Sequence, residues 1–116
     1  MRERKNKIVF LFILLLLHKF SFAQMDTVII KTSAICDQCK ERIEHDLSFE
    51  KGVKTAVLDL KTKEVTVVYN PAKTDVEKIR IAITKSGYDA DSLMADPKAY
   101  RRLPDCCQKP VNNNSK

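Results

Sequence analysis

An unbroken run of ten apolar residues, Ile8–Leu17, stands near the start of the chain, and beyond it the pattern shortens into amphipathic stretches. Thr27–Lys31 (TVIIK) is β-branched and reads as a strand. After a short loop at Ser33–Ile35, the residues Cys39, Ile43 and Leu47 recur at i, i+4 and i+8. Lys40, Glu41, Arg42, Glu44, His45 and Asp46 fill the other faces, which predicts an amphipathic helix over 37–49 with Asp37 as its cap and Gly52 beyond its end. Val53–Leu60 and Glu64–Tyr69 are two further strands, separated by the hairpin-length Lys61-Thr62-Lys63 and closed by Asn70-Pro71. Thr74-Asp75-Val76-Glu77 has the form of a capping box. It opens a second helix with the apolar stripe Val76, Ile79, Ala82 and Ile83, and Gly87 stops that helix. Tyr88–Met94 reads as a short edge strand. The order β-α-β-β-α-β belongs to the α+β class, and its compact solution is an antiparallel four-stranded sheet with both helices on one face.

The apolar run has its own meaning. Met1–Lys7 is basic, and His18–Ala23 ends with the small residues Ser21 and Ala23 at the −3 and −1 positions. This is the pattern of a secretory signal over residues 1–23, cleaved before Gln24. A spanning helix needs about 20 apolar residues, whereas Lys19 interrupts this stretch after ten. No membrane span is expected after cleavage, and no cysteine stands at the new terminus to carry a lipid. The expectation is a soluble exported protein, periplasmic or secreted.

Removing the signal changes the charge. The whole chain carries a formal +6, but residues 1–23 hold five Lys and Arg against one acid. Residues 24–116 have 16 Lys and Arg against 14 Asp and Glu, a nearly balanced surface with no strong field for phosphates. Nucleic acid is therefore excluded as a partner. The remaining 93 residues suit one modest core, built mainly from Val, Ile and Leu, and a monomer. Residues 24–95 form the expected domain. Residues 96–116 form a tail, with a helical turn over Pro97–Leu103, a Cys-Cys pair and a polar end.

All four cysteines lie in the mature part, as two tight pairs: Cys36 with Cys39, and Cys106 with Cys107. In an oxidising compartment an even count first suggests disulfides. A bridge across Cys36–Cys39 would close a tiny loop that constrains little of the unfolded chain. Neighbouring Cα atoms stand about 3.8 Å apart, below the usual disulfide range, so Cys106–Cys107 is a strained pair. Bridges between the two pairs stay open. Close dithiols also chelate soft ions, and a helix N-terminus stabilises thiolate. No pairing of Glu, Asp or Ser suggests general acid-base or nucleophilic catalysis, so no enzyme is expected.

From Thr27 to about Met94 the chain resembles the heavy-metal-associated domain of copper chaperones, metal-transporting ATPases and the periplasmic mercury-binding protein. The resemblance is carried by Ser33-Ala34-Ile35-Cys36-Asp37-Gln38-Cys39, by Ile43, Leu47 and Gly52-Val53, by Val57–Leu60 and Val65–Val67, and by Tyr69-Asn70-Pro71 and Gly87–Ala90. It implies a ferredoxin-like βαββαβ sandwich. It also implies that Cys36 and Cys39 bind a soft ion, Cu(I) first and Hg(II), Zn(II) or Ag(I) next. Hand-over by thiolate exchange to a metal-transporting membrane protein or efflux component follows from the same resemblance. Ser33 and Ala34 stand where the family has Gly-Met, and a looser loop is expected from losing the methionine that fills space beneath it. Tyr88 lies where the family's loop nears the metal, either shielding the thiolates or serving as a core aromatic. Cys106 and Cys107 are candidate additional metal ligands, within reach of the first pair. The alternative function is a thiol-disulfide oxidoreductase using Cys36 and Cys39, although the loop lacks that class's usual preceding aromatic and inner Gly or Pro.

Overall fold

A computed structural model describes residues 2–17 and 24–109. The apolar run lies in helix α1 (Arg2–Leu17), 16 residues long. Among the described residues no helix is long and apolar enough to cross a membrane. The expected cleavage positions Ser21 and Ala23, and the polar end after Lys109, lie outside the described residues.

The domain follows as β1 (Asp26–Lys31), α2 (Asp37–Ser48), β2 (Val53–Asp59), β3 (Glu64–Tyr69) and α3 (Val76–Lys85). The strands form an antiparallel sheet in the order β1-β3-β2, so β3 is central. Alternation along the strands decides which face is buried. Val65, Val67, Ile30 and Leu58 point inward, whereas Ile29 and Val57 flank Thr66 on the open face. The helices cover the inner face with Ile43 and Leu47 from α2 and Ile79 and Ile83 from α3, all essentially inaccessible to water. Each such side chain contributes about 1.5–3 kcal/mol on burial, enough for this small set to organise the domain.

The sheet has three strands, not four. Tyr88–Met94 meets the end of β1 only through an isolated bridge, Thr32 with Ala90. Asp91 then takes φ +51, and Ala90 pairs back onto Leu93. Asp91 is the reason: its carboxylate accepts from the Lys31 amide at 3.0 Å and from Arg80 Nε at 2.8 Å. A turn held from both sides replaces the strand, in a segment whose Asp89, Asp91 and Ser92 are poor strand formers.

The start of α3 also differs from the expected box. Asp75 is the N-cap, its Oδ1 accepting from the Lys78 amide at 2.8 Å, while Thr74 is buried against Gly52. A carboxylate is as good a cap as a hydroxyl, so packing of Thr74 moves the role one residue along. Asp37 is likewise the first residue of α2 and not its cap, which is Cys36.

The tail continues as α4 (Pro97–Arg101) and a 3₁₀ turn, Asp105–Cys107. Asp96 caps α4 by accepting from the amides of Lys98 and Ala99, and its own amide donates to Thr84 O at 3.0 Å, fixing the tail to the end of α3. Leu103 and Cys107 join the core cluster.

Candidate metal centre

The loop between β1 and α2 is tied at each departure from the family pattern. Ser33 Oγ accepts from the Asp89 amide at 2.9 Å, linking the loop to the segment after α3. The amide of Ala34, a wholly buried residue, donates to Thr32 Oγ1 at 3.2 Å, and that hydroxyl donates onward to Lys63 O at 2.8 Å. Hydrogen bonds thus hold a loop that was expected to be slack.

Cys36 sits at the N-cap in extended conformation, with its side chain making no capping bond. Its sulfur is the hub of a cluster. Cys39 Sγ lies 3.0 Å away, Cys106 Sγ 3.0 Å and Cys107 Sγ 3.3 Å, with 3.8 Å between Cys106 and Cys107. All four are thiols and none is bridged. The sulfurs of Cys36, Cys106 and Cys107 fall within 4.8 Å of one another. Cys39 and Cys107 are buried, whereas Cys106 is exposed and lies 3.5 Å from Gln38 Oε1.

These neighbours divide the proton affinities. Burial opposes ionisation of Cys36, but hydrogen bonds from Cys106, Cys39 and Cys107 outweigh it and lower its pKa from 9.0 to about 7. Cys106 is pushed up, first by its hydrogen bond to Cys36. Burial, then hydrogen bonds to Cys39 and Cys36, push Cys107 far above the usual thiol range. Of the shifted sulfurs, Cys36 is the one that loses its proton most readily.

Tyr88 is fully buried, and among the described residues its hydroxyl is the one buried side-chain oxygen or nitrogen without a hydrogen-bond partner. Burial, followed by the influence of Cys107 and Cys39, raises its ionisation well beyond the ordinary phenol range. The ring is part of the core. His45 is exposed, its ring 4.9 Å from that of Phe49, and takes no part. The Lys40 ammonium holds Glu44 at 2.7 Å and Leu58 O at 2.8 Å.

Residues 29–89 match the heavy-metal-associated domain. The chain belongs to that family. Over 59 residues it is 41% identical to a copper-exporting P-type ATPase of Staphylococcus aureus (strain JH9); these cover 51% of the chain and 7% of the ATPase. The fold is similar to that of a CopZ metallochaperone, with TM-score 0.54 and 30% identity over 56% of this chain and 98% of that one. Oxidized MerP from Ralstonia metallidurans CH34 is similar at TM-score 0.56 and 25% identity, over 59% of this chain and 96% of MerP. The heavy-metal-associated match ends before Cys106 and Cys107. The sequence held no signal for two residues that matter here, Ser33 as an acceptor and Gly87 as the seat of the tail. Only the distances reveal them.

Proposed function

We propose that this chain is an exported, non-catalytic carrier of a soft metal ion, Cu(I) foremost, that binds through Cys36 and Cys39 and passes its cargo to a metal-transporting membrane protein by thiolate exchange. The observation that carries the reading is the pair of sulfurs 3.0 Å apart at the N-terminal end of α2, with the Cys36 pKa lowered to about 7 by the sulfurs around it. Soft thiolates select soft ions, and binding releases the protons of the ligating thiols. The relatives support this reading, since one is named a copper-exporting ATPase and another a metallochaperone. Export rests on the signal pattern of residues 1–23.

The test is a Cu(I) competition titration of the reduced chain against a chromophoric chelator. One equivalent is expected to bind tightly, and Cys36→Ser/Cys39→Ser is expected to lose that binding while keeping its helical content. Near-native competition by the double variant would place the site elsewhere. An insulin-reduction assay beside it should stay at background, whereas turnover would favour the oxidoreductase. Protein recovered from the periplasm of an expressing bacterium should begin at Gln24.

A further inference from the structure

The tail cysteines lie beyond the residues that match the family, so their role must come from their own surroundings. We infer that Cys106 and Cys107 form, with Cys36, a three-thiolate site for a soft ion, in which Cys36 is shared with the Cys36–Cys39 pair. The inference rests on the soft-metal reading of that pair: the resting ion moves from the pair to the three-sulfur triangle, and Cys39 serves as second ligand when the tail sulfurs are absent.

Geometry favours three sulfurs over two. With metal–sulfur bonds of about 2.3 Å, a linear two-thiolate site needs its sulfurs about 4.6 Å apart, and a trigonal one about 4.0 Å. The Cys36–Cys39 separation is 3.0 Å. The three edges of the Cys36, Cys106, Cys107 triangle are 3.0, 3.3 and 3.8 Å. The triangle therefore needs to open by an ångström or less, and the pair by considerably more.

The tail is also built to stay in place. Lys109 Nζ holds Asp89 Oδ2 at 2.8 Å, the Lys109 amide donates to Tyr100 Oη at 2.7 Å, and Gln108 Nε2 donates to Leu103 O at 3.0 Å. These contacts flank Cys106 and Cys107 on both sides, and Cys107 is left 2% exposed. Adjacent cysteines bridge each other only with strain, so a vicinal dithiol with Cys107 buried and Cys106 exposed has few outlets other than a metal or a third thiol. Tyr88 supplies an independent sign. Its buried hydroxyl has no hydrogen-bond partner, and Cys107 and Cys39 are the polar side chains nearest in influence to it. A sulfur bearing full negative charge is a far better acceptor than a thiol. On binding, Cys106 and Cys107 give their protons to solvent, and no electron moves.

X-ray absorption and Cu(I) competition on the reduced full chain test this. The wild type is expected to show three sulfurs per Cu(I). Cys106→Ser/Cys107→Ser should fall to two and bind at least about tenfold more weakly, the loss that removing even an outer-shell partner causes. Cys39→Ser should keep three. Two sulfurs in the wild type, or unchanged count and affinity in the tail variant, would overturn the inference and leave the Cys36–Cys39 reading standing. Thiol counting and mass mapping that found Cys36 bridged to Cys106 in freshly loaded protein would also overturn it. Retention of Cu(I) by Cys36→Ser/Cys39→Ser would overturn both readings.

Discussion

A Cβ placed on Gly87 would stand 3.0 Å from both Cγ and Cδ2 of Leu103. The glycine ends α3 and at the same time provides the seat on which the tail rests. It also has φ +106, which L side chains rarely adopt. Gly87→Ala is therefore expected to destabilise by about 1–3 kcal/mol from the backbone alone, with the crowding against Leu103 added. Denaturant unfolding should show a lowered midpoint, and hydrogen exchange over 103–108 should quicken first. Unchanged exchange there would mean that the tail does not depend on this seat.

Tyr88→Phe separates the ring from the hydroxyl. The ring fills the core, while the hydroxyl is buried without a hydrogen-bond partner. Removing it should leave the metal-free domain as stable or slightly more stable, because a poorly satisfied polar group costs free energy when buried. Cu(I) affinity should drop about 10–100-fold, as for other groups that hydrogen-bond to ligands. Equal affinity in a competition titration would reduce Tyr88 to a packing role.

The clasp between Lys109 and Asp89 sets a pH window for the tail. Burial opposes ionisation of Asp89, but hydrogen bonds from Lys109 and the Ala95 amide outweigh it and hold the carboxyl below its usual 3.8. A depressed carboxyl contributes stability above its unfolded value and loses it as pH falls through the folded one. Lys109 is raised above 10.5, first by its hydrogen bond to Asp89, so its contribution is lost only as pH rises through that higher value. The tail should stay docked between the ordinary carboxyl and ammonium values and loosen as pH falls through the depressed Asp89 value, read as loss of the Lys109–Tyr100 contact by NMR. The ammonium is 58% exposed, so Asp89→Asn should cost under about 1 kcal/mol.

Ala34→Met restores the methionine that the family carries in this loop. Ala34 is already wholly buried with its amide bonded to Thr32. Adding three heavy atoms there should overpack the loop and destabilise by about 1–3 kcal/mol. A rise in the unfolding midpoint would reveal space beneath the loop that its burial does not suggest.

The elements carried by local rules were legible in the residue order. Ile43 and Leu47, or Ile79 and Ile83, recur at helical spacing because one side of a helix must face the sheet. Val65 and Val67 alternate because one face of a strand must do the same. The Cys36-x-x-Cys39 pair was equally visible, since three residues at a helix start bring two side chains together whatever surrounds them. The fourth strand was misread because Tyr88–Met94 has the length and position of one. Only the carboxylate of Asp91, caught between Lys31 and Arg80, turns it away. The tail posed the harder question. Cys106 and Cys107 stand 70 and 71 positions from Cys36, and reach alone permits both a docked and a free tail. Their meeting depends on Leu103 over Gly87, Asp96 on Thr84 and Lys109 on Asp89, each a long-range contact with no periodicity to announce it. Local spacing determined the helices, most strands and one dithiol, because nearest-neighbour sterics and burial act within a few residues. Tertiary packing decided which sulfurs share a centre, because that depends on where distant segments come to rest.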